Sequence, residues 1–306
     1  MDVADNPQVL SIQSHVVSGY VGNKSAVFPL QVLGFEVSAI NSVQFSNHTG
    51  YGKWKGNVLN SQELDDLMSG LQTNNLDNFT HILTGYVASE SFLLQVYEVV
   101  KRLKDKDPNT IYVCDPVMGD NGHLYVPKEL LPIYRDKLIP LADIITPNQY
   151  EAEVLTGKKI TNEQDALECM KMLHEKGAKV VIISSSDIGP NGVLLAFGSV
   201  KQRGANGPSE AWKIEIPRLP HLFTGTGDLF AALLLAWMHR CHGDLAAAME
   251  RSMGSLQGVL QRTLSYAEKK WKKGSPNGPK HLELRLIQSK EDLENPPSTF
   301  RAVSLL

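Results

Sequence analysis

Short, β-branched apolar runs alternate with helical patterns along most of this 306-residue chain. The strand-like runs occupy residues 9–12, 35–40, 81–83, 111–114, 143–145, 180–183, 193–197 and 212–216. Between many of them, residues 62–71, 91–103, 163–174 and 229–239 carry apolar side chains at three- and four-residue spacing. Parallel strands need a crossover connection, usually a helix, so this alternation predicts an α/β fold with a mostly parallel sheet. Residues 180–183 are apolar throughout, as a strand covered on both faces must be.

Several function classes fall away on bulk properties. A hydrophobic content of 42% is enough for one large core, whereas a net charge of −3 is a poor basis for binding nucleic acid or an anionic membrane. The longest apolar run, residues 229–238, is too short to cross a hydrocarbon core of roughly 30 Å and reads as a buried helix. The N-terminus lacks the charged and apolar regions of a signal peptide. Cys114, Cys169 and Cys241 are far apart and form no CxxC, which argues against a disulfide framework or a cysteine zinc site and fits a reducing, cytoplasmic setting. The sequons at Asn23, Asn47 and Asn78 therefore read as chance matches. Residues 204–209 and 274–279 are Gly/Pro/Ser-rich and read as surface loops, so one domain is expected over residues 1–306.

In open α/β sheets ligands bind at the carboxyl ends of strands. Those ends are polar here: Gln13-Ser14-His15, Asn41-Ser42, Thr84-Gly85-Tyr86, Asp115-Pro116, Thr146-Pro147-Asn148 and Ser184-Ser185-Ser186-Asp187. So many polar strand ends suggest a rim built for a ligand.

The segment FTGTGD (223–228) runs into the apolar helix and admits three readings. As a dinucleotide fingerprint it fails, because Phe230 stands where the third glycine belongs. The GYVGNKSA segment (19–26) likewise fails as a Walker A loop, since its second glycine comes too early. A second reading makes Asp228 an N-terminal helix cap. In the third, the amides of Gly225, Thr226 and Gly227 join the helix N-terminus to form an anion cradle with Asp228 at its rim.

The GTGD element and its small-residue helix resemble the C-terminal signature of the ribokinase-like superfamily of small-molecule kinases. DPVMGD (115–120) is similar to that superfamily's central acidic motif, and TPNQYEAE (146–153) carries its N-x-x-E pattern as Asn148 and Glu151. Within the superfamily, LSIQSHVVSGYVGNKSAVFPLQVLGFEV, NSVQFSNHTGYGKWKG, LTGY and ADIITPNQYEAE resemble the pyridoxal kinase family. The likeness continues through VLQRT and LELRLIQSKEDLE. It implies a ribokinase-like three-layer sandwich, with a mostly parallel central sheet covered by helices on both faces. It also implies a homodimer and ATP-dependent phosphorylation of the 5′-hydroxymethyl group of pyridoxal, pyridoxine and pyridoxamine.

On that resemblance Asp228 accepts the proton of the attacking hydroxyl, with Gly225, Thr226 and Gly227 around the transferring phosphoryl group. A helix N-terminus is expected to keep the pKa of Asp228 low. ATP brings roughly four negative charges to an acidic rim, which calls for a divalent cation. Asp115, Asp120 and Glu151 are the candidate ligands for Mg²⁺, with Zn²⁺ the alternative. Asn148 and Glu151 organise the metal, partly through water, while Asp115 and Thr146 lie nearer a K⁺ site. Ser14 and Thr49 offer hydroxyls to the vitamin ring and Tyr86 can stack on it. Val21, Val43, Trp54 and His48 complete that pocket. Ser184, Ser185, Tyr125 and Leu219 are expected on the ATP side, together with Asp115 and Asn148. Hydroxymethylpyrimidine kinase, with the same machinery, and a noncatalytic binding protein on this scaffold are the competing readings.

Overall fold

The computed structural model describes residues 6–190, 192–201, 208–275 and 278–306. Residues 202–207 and 276–277, which overlap the two expected surface loops at 204–209 and 274–279, lie outside the described residues. The strands are β1 (Gln8–Val16), β2 (Glu36–Phe45), β3 (Gly56–Val58), β4 (His81–Thr84), β5 (Ile111–Cys114), β6 (Gly119–Asp120), β7 (His123–Leu124), β8 (Ile144–Ile145), β9 (Val180–Ser186), β10 (Val193–Val200), β11 (Glu210–Pro217) and β12 (Val303–Ser304). The helices are α1 (Asn23–Val32), α2 (Ser61–Thr73), α3 (Glu90–Lys106), α4 (Leu130–Ile133), α5 (Gln149–Thr156), α6 (Glu163–Glu175), α7 (Thr226–Arg240), α8 (Leu245–Lys272) and α9 (Lys290–Glu294).

One ten-stranded sheet runs in the order β12-β11-β10-β9-β8-β5-β4-β1-β2-β3. Its centre, from β2 to β9, is parallel, and β3, β10, β11 and β12 pair antiparallel at the edges. Side chains of a strand alternate between faces. Leu10, Ile12, Ile82, Tyr112, Cys114, Val181 and Ile183 accordingly join the core beneath α2, α3, α4, α5 and α6. Val9, Leu83, Val113, Ile144, Val180 and Ile182 face the second core, beneath α1, α7, α8 and α9. The sheet is thus covered on both faces, and all eight expected strands and four expected helices are present.

The strands the periodicity missed are short or edge-bound. β3 and β12 are edge pieces, and β6–β7 is a two-residue hairpin turned by Asn121 and Gly122, both with positive φ. That Asn-Gly turn matches the right-handed twist of its strands. Helices α1, α5 and the long α8 lie outside the four expected helical patterns, and VLQRT within α8 carries only the family likeness.

Because the central strands are parallel, their carboxyl ends line one edge. The β1–β2 register shifts between Gln13 and His15, which sets Ser14 at the irregularity. Along α7, every residue from Leu229 to Trp237 is buried, so this helix is a core element with its N-terminus delivered to the polar edge. Leu234→Ala should therefore lower unfolding free energy by about 2–5 kcal/mol, read from urea denaturation.

Candidate active site

Two helices begin side by side without a side-chain cap. Helix α1 starts at Gly22 (φ 53) and the packed α7 starts at Gly225 (φ 83). Asp228 does not cap α7, correcting one reading of FTGTGD. Its Oδ2 instead accepts the backbone N–H of Gly22 at 2.7 Å. Its acidity also differs from expectation. Burial raises the pKa of the half-buried Asp228 above the usual carboxylate range, against the smaller lowering effect of the Gly22 amide.

Both glycines are required twice over. Each sits in the left-handed region that side chains rarely adopt. A Cβ on Gly22 would also lie 2.0 Å from the Ser14 carbonyl oxygen, and one on Gly225 2.1 Å from that of Tyr20. Segment 19–22, rejected as a phosphate loop, is therefore a backbone support for the cradle. Gly227 is more open. Its nearest neighbour in that direction is Asp115 Oδ2, 3.8 Å from an added Cβ.

Asp115 follows β5 and is buried. Its Oδ1 accepts from Thr146 Oγ at 3.1 Å, and its Oδ2 has no partner. Burial, then the charges of Glu151 and Asp228, push its pKa well above normal. Glu151 is equally buried and is raised to about 7, chiefly by burial. Its Oε1 accepts from the amides of Met118 (2.9 Å) and Gly119 (3.4 Å), and its Oε2 from that of Asn148 (2.9 Å). Asn148 caps α5 by accepting the Glu151 amide and donates to the Gly119 carbonyl. Asn148 and Glu151 thus lock the DPVMGD segment against α5, leaving Glu151 free lone pairs rather than a free oxygen. Asp120 lies exposed on the hairpin, accepting from the Asn121 amide and side chain. Among the described residues no three His, Cys, Asp or Glu side chains converge as a metal cage. The unpartnered Asp115 oxygen beside Gly227 does fit a cation shared with a phosphate-bearing ligand.

On the acceptor side, Ser14 and Val43 are buried, Val21 and Tyr86 are half-buried, and Thr49 and Trp54 are exposed. Ser14 Oγ lies 2.4 Å from the Cβ position of Gly22, which brings it beside Asp228. Ser42 Oγ donates to the Tyr86 carbonyl, tying β2 to that strand end. Trp54 pairs only with Phe45, its ring centroid 6.4 Å away, and so is no core residue. A cavity of about 440 Å³ is lined by His48, Gly50, Thr224 and Trp271, among others. It sits where the acceptor-side turn meets the cradle segment.

On the opposite side, the Ser184 amide and hydroxyl both point to the Pro147 carbonyl, and Ser185 is half-buried beside it. Asp187 receives an ion pair from Arg218, next to the half-buried Leu219. Tyr125 is exposed at the hairpin exit. Sequence reasoning missed Gly22, Arg218 and Glu283. Their roles come from contacts across the fold, and only the glycine spacing of 19–22 signalled one of them.

A family model described as phosphomethylpyrimidine kinase matches residues 37–273. The bovine pyridoxal kinase is 52% identical over 97% of this chain and 98% of its own length. The chain belongs to the pyridoxal kinase family. An Arabidopsis thaliana pyridoxal kinase is also 52% identical, over 98% of this chain and 95% of its own. The solved Leishmania donovani pyridoxal kinase, in complex with ADP and pyridoxamine, superposes with a TM-score of 0.90. It is 34% identical and covers 98% of this chain and 100% of its own. Membership in the pyridoxal kinase family agrees with the ribokinase-like expectation for the sheet and its two helical layers. Gly22→Ala should cut turnover by about 10²-fold and lower Tm, because a Cβ 2.0 Å from the Ser14 carbonyl oxygen must displace the amide that anchors Asp228. Steady-state kinetics alongside circular dichroism checks this.

Proposed function

We propose that this protein transfers the γ-phosphoryl group of ATP to the 5′-hydroxymethyl of pyridoxal, pyridoxine and pyridoxamine, yielding pyridoxal 5′-phosphate from pyridoxal in vitamin B6 salvage. Family membership supports the activity, and the relatives' complexes with ADP and B6 vitamers support ATP and vitamin as substrates. The observation that carries the reading is the Asp228 carboxylate, fixed by the Gly22 amide next to the Gly225–Gly227 turn, with Asp115 Oδ2 on the open side of Gly227.

In this reading the vitamin ring lies among Val21, Val43, His48, Trp54 and Tyr86, with Ser14 and Thr49 hydrogen-bonding its polar atoms. The hydroxymethyl group reaches Asp228, whose ionised carboxylate takes its proton as the oxygen attacks. Burial raises the pKa of Asp228 from its ordinary value, which makes its carboxylate a stronger base than an ordinary aspartate. The amides of Gly225, Thr226 and Gly227 hold charge on the transferring group. Phosphoryl transfer passes through a loose transition state, so positioning and charge neutralisation supply most of the acceleration.

Asp115, Asp120 and Glu151 are the residues that would meet Mg²⁺ (or Zn²⁺), and Asp115 with Thr146 a K⁺ ion. The cation supplies charge neutralisation between this acidic rim and the nucleotide. Asn148, Ser184, Ser185, Tyr125 and Leu219 are assigned to the ATP side. A single domain, a homodimer and a cytoplasmic location complete the proposal. The location is supported by three free cysteines, and no described helix is long and apolar enough to cross a membrane.

The second reading is hydroxymethylpyrimidine kinase, and the family model, described as a phosphomethylpyrimidine kinase, supports it only as far as a pyrimidine acceptor. A coupled ADP-release assay with a substrate panel should give the higher kcat/KM for pyridoxal. A higher value for hydroxymethylpyrimidine would transfer the assignment. Asp228→Asn should retain vitamin and nucleotide binding while kcat falls about 10²–10⁴-fold. Near-normal kcat in that variant would remove Asp228 from the proton-accepting role.

A further inference from the structure

The carboxylate of Glu283 joins two segments that the kinase reading keeps separate. It lies between the single 3₁₀ turn Thr49–Tyr51, on the acceptor side, and segment 19–22, which supports the cradle. Its Oε2 accepts the Tyr20 backbone N–H at 3.0 Å. Its Oε1 accepts from Tyr51 Oη at 2.9 Å and lies 3.2 Å from His48 Nε2. The rings of His48 and Tyr51 pack with centroids 4.7 Å apart, so the turn meets Glu283 as one unit. Burial, and next the bond to Glu283, raise the pKa of Tyr51, which keeps its phenol a donor.

The chain makes room for this contact. Gly19 has φ +98, and a Cβ there would lie 2.6 Å from both Glu283 oxygens. The carboxylate therefore packs directly on bare backbone. Immediately downstream, the Tyr20 carbonyl presses on Gly225 and the Gly22 amide holds Asp228. On the other side, the turn that Glu283 grips contains Thr49 and Gly50. Thr224 Oγ lies 4.0 Å from an added Cβ on Gly50, so the turn rests against the cradle segment itself.

We infer that Glu283 is a positioning residue of this kinase, clasping the vitamin-binding turn to the 19–22 segment so that the acceptor hydroxyl and Asp228 are aligned together. It acts through Tyr20, His48 and Tyr51. The inference rests on the proposed kinase reading. Wild-type turnover of pyridoxal tests that reading by itself, before any variant is made.

The test of Glu283 is a split between constants. Removing a global prop would disturb both substrates, whereas releasing this clasp disturbs only the acceptor and its alignment. In Glu283→Ala, KM for pyridoxal should rise about tenfold and kcat fall about tenfold, with KM for ATP within about twofold of wild type. Tyr51→Phe, which deletes one donor to the carboxylate, should move the pyridoxal constants the same way by about threefold. The double variant should lose less than the product of the two single losses, as residues acting through one contact do. Wild-type constants in Glu283→Ala, or equal rises in both KM values with a lowered Tm, would overturn the role. If Glu283→Ala does not fold, Tyr51→Phe decides alone: a rise confined to pyridoxal upholds the clasp, and unchanged constants overturn it.

Discussion

A single hydrogen bond, from the Gly22 amide to the Asp228 carboxylate, joins parts of the chain 206 residues apart. It can form only because two helices start at glycines. A side chain at Gly22 would strike Ser14, and one at Gly225 would strike Tyr20. Close approach of backbone to backbone at both points lets α1 and α7 aim their N-termini at one spot. The buried length of α7 then makes that spot rigid, since shifting Asp228 would move a helix packed through the core.

The same geometry concentrates negative charge. Asp228, Asp115 and Glu151 all have acidities weakened by burial, and the charges of Glu151 and Asp228 add to the shift at Asp115. Glu151 meets this cost with three amide donors, and Asp115 leaves one oxygen without a donor. A site arranged in this way favours cations and polyphosphate together over either alone. The capping box of α5 has a double role here, since Asn148 and Glu151 both start the helix and pin the DPVMGD segment beside it.

The central architecture was legible because strand and helix periods are written locally. Residues 180–183 and 229–239 are apolar in patterns that tertiary contacts do not alter. The position of FTGTGD before α7 was legible for the same reason. The environment of Asp228 was not. A helix N-terminus predicts a low pKa, and the apolar run after residue 228 announces a buried helix but neither desolvation of the carboxylate itself nor a partner at residue 22. Glu283 was equally hidden, as its partners are Tyr20, His48 and Tyr51, more than two hundred residues upstream. The glycines at 19 and 22 were visible but admitted a phosphate-loop test first. Their actual reason is two close approaches, one to Glu283 and one to Ser14.

The central claim is that Asp228 is a burial-raised base held by one amide, rather than a helix cap with lowered acidity. Titration of its side-chain carboxyl carbon by NMR, assigned by difference against Asp228→Asn, measures this directly. The account predicts a midpoint above the ordinary aspartate value of about 3.9. A midpoint at or below that value would contradict it.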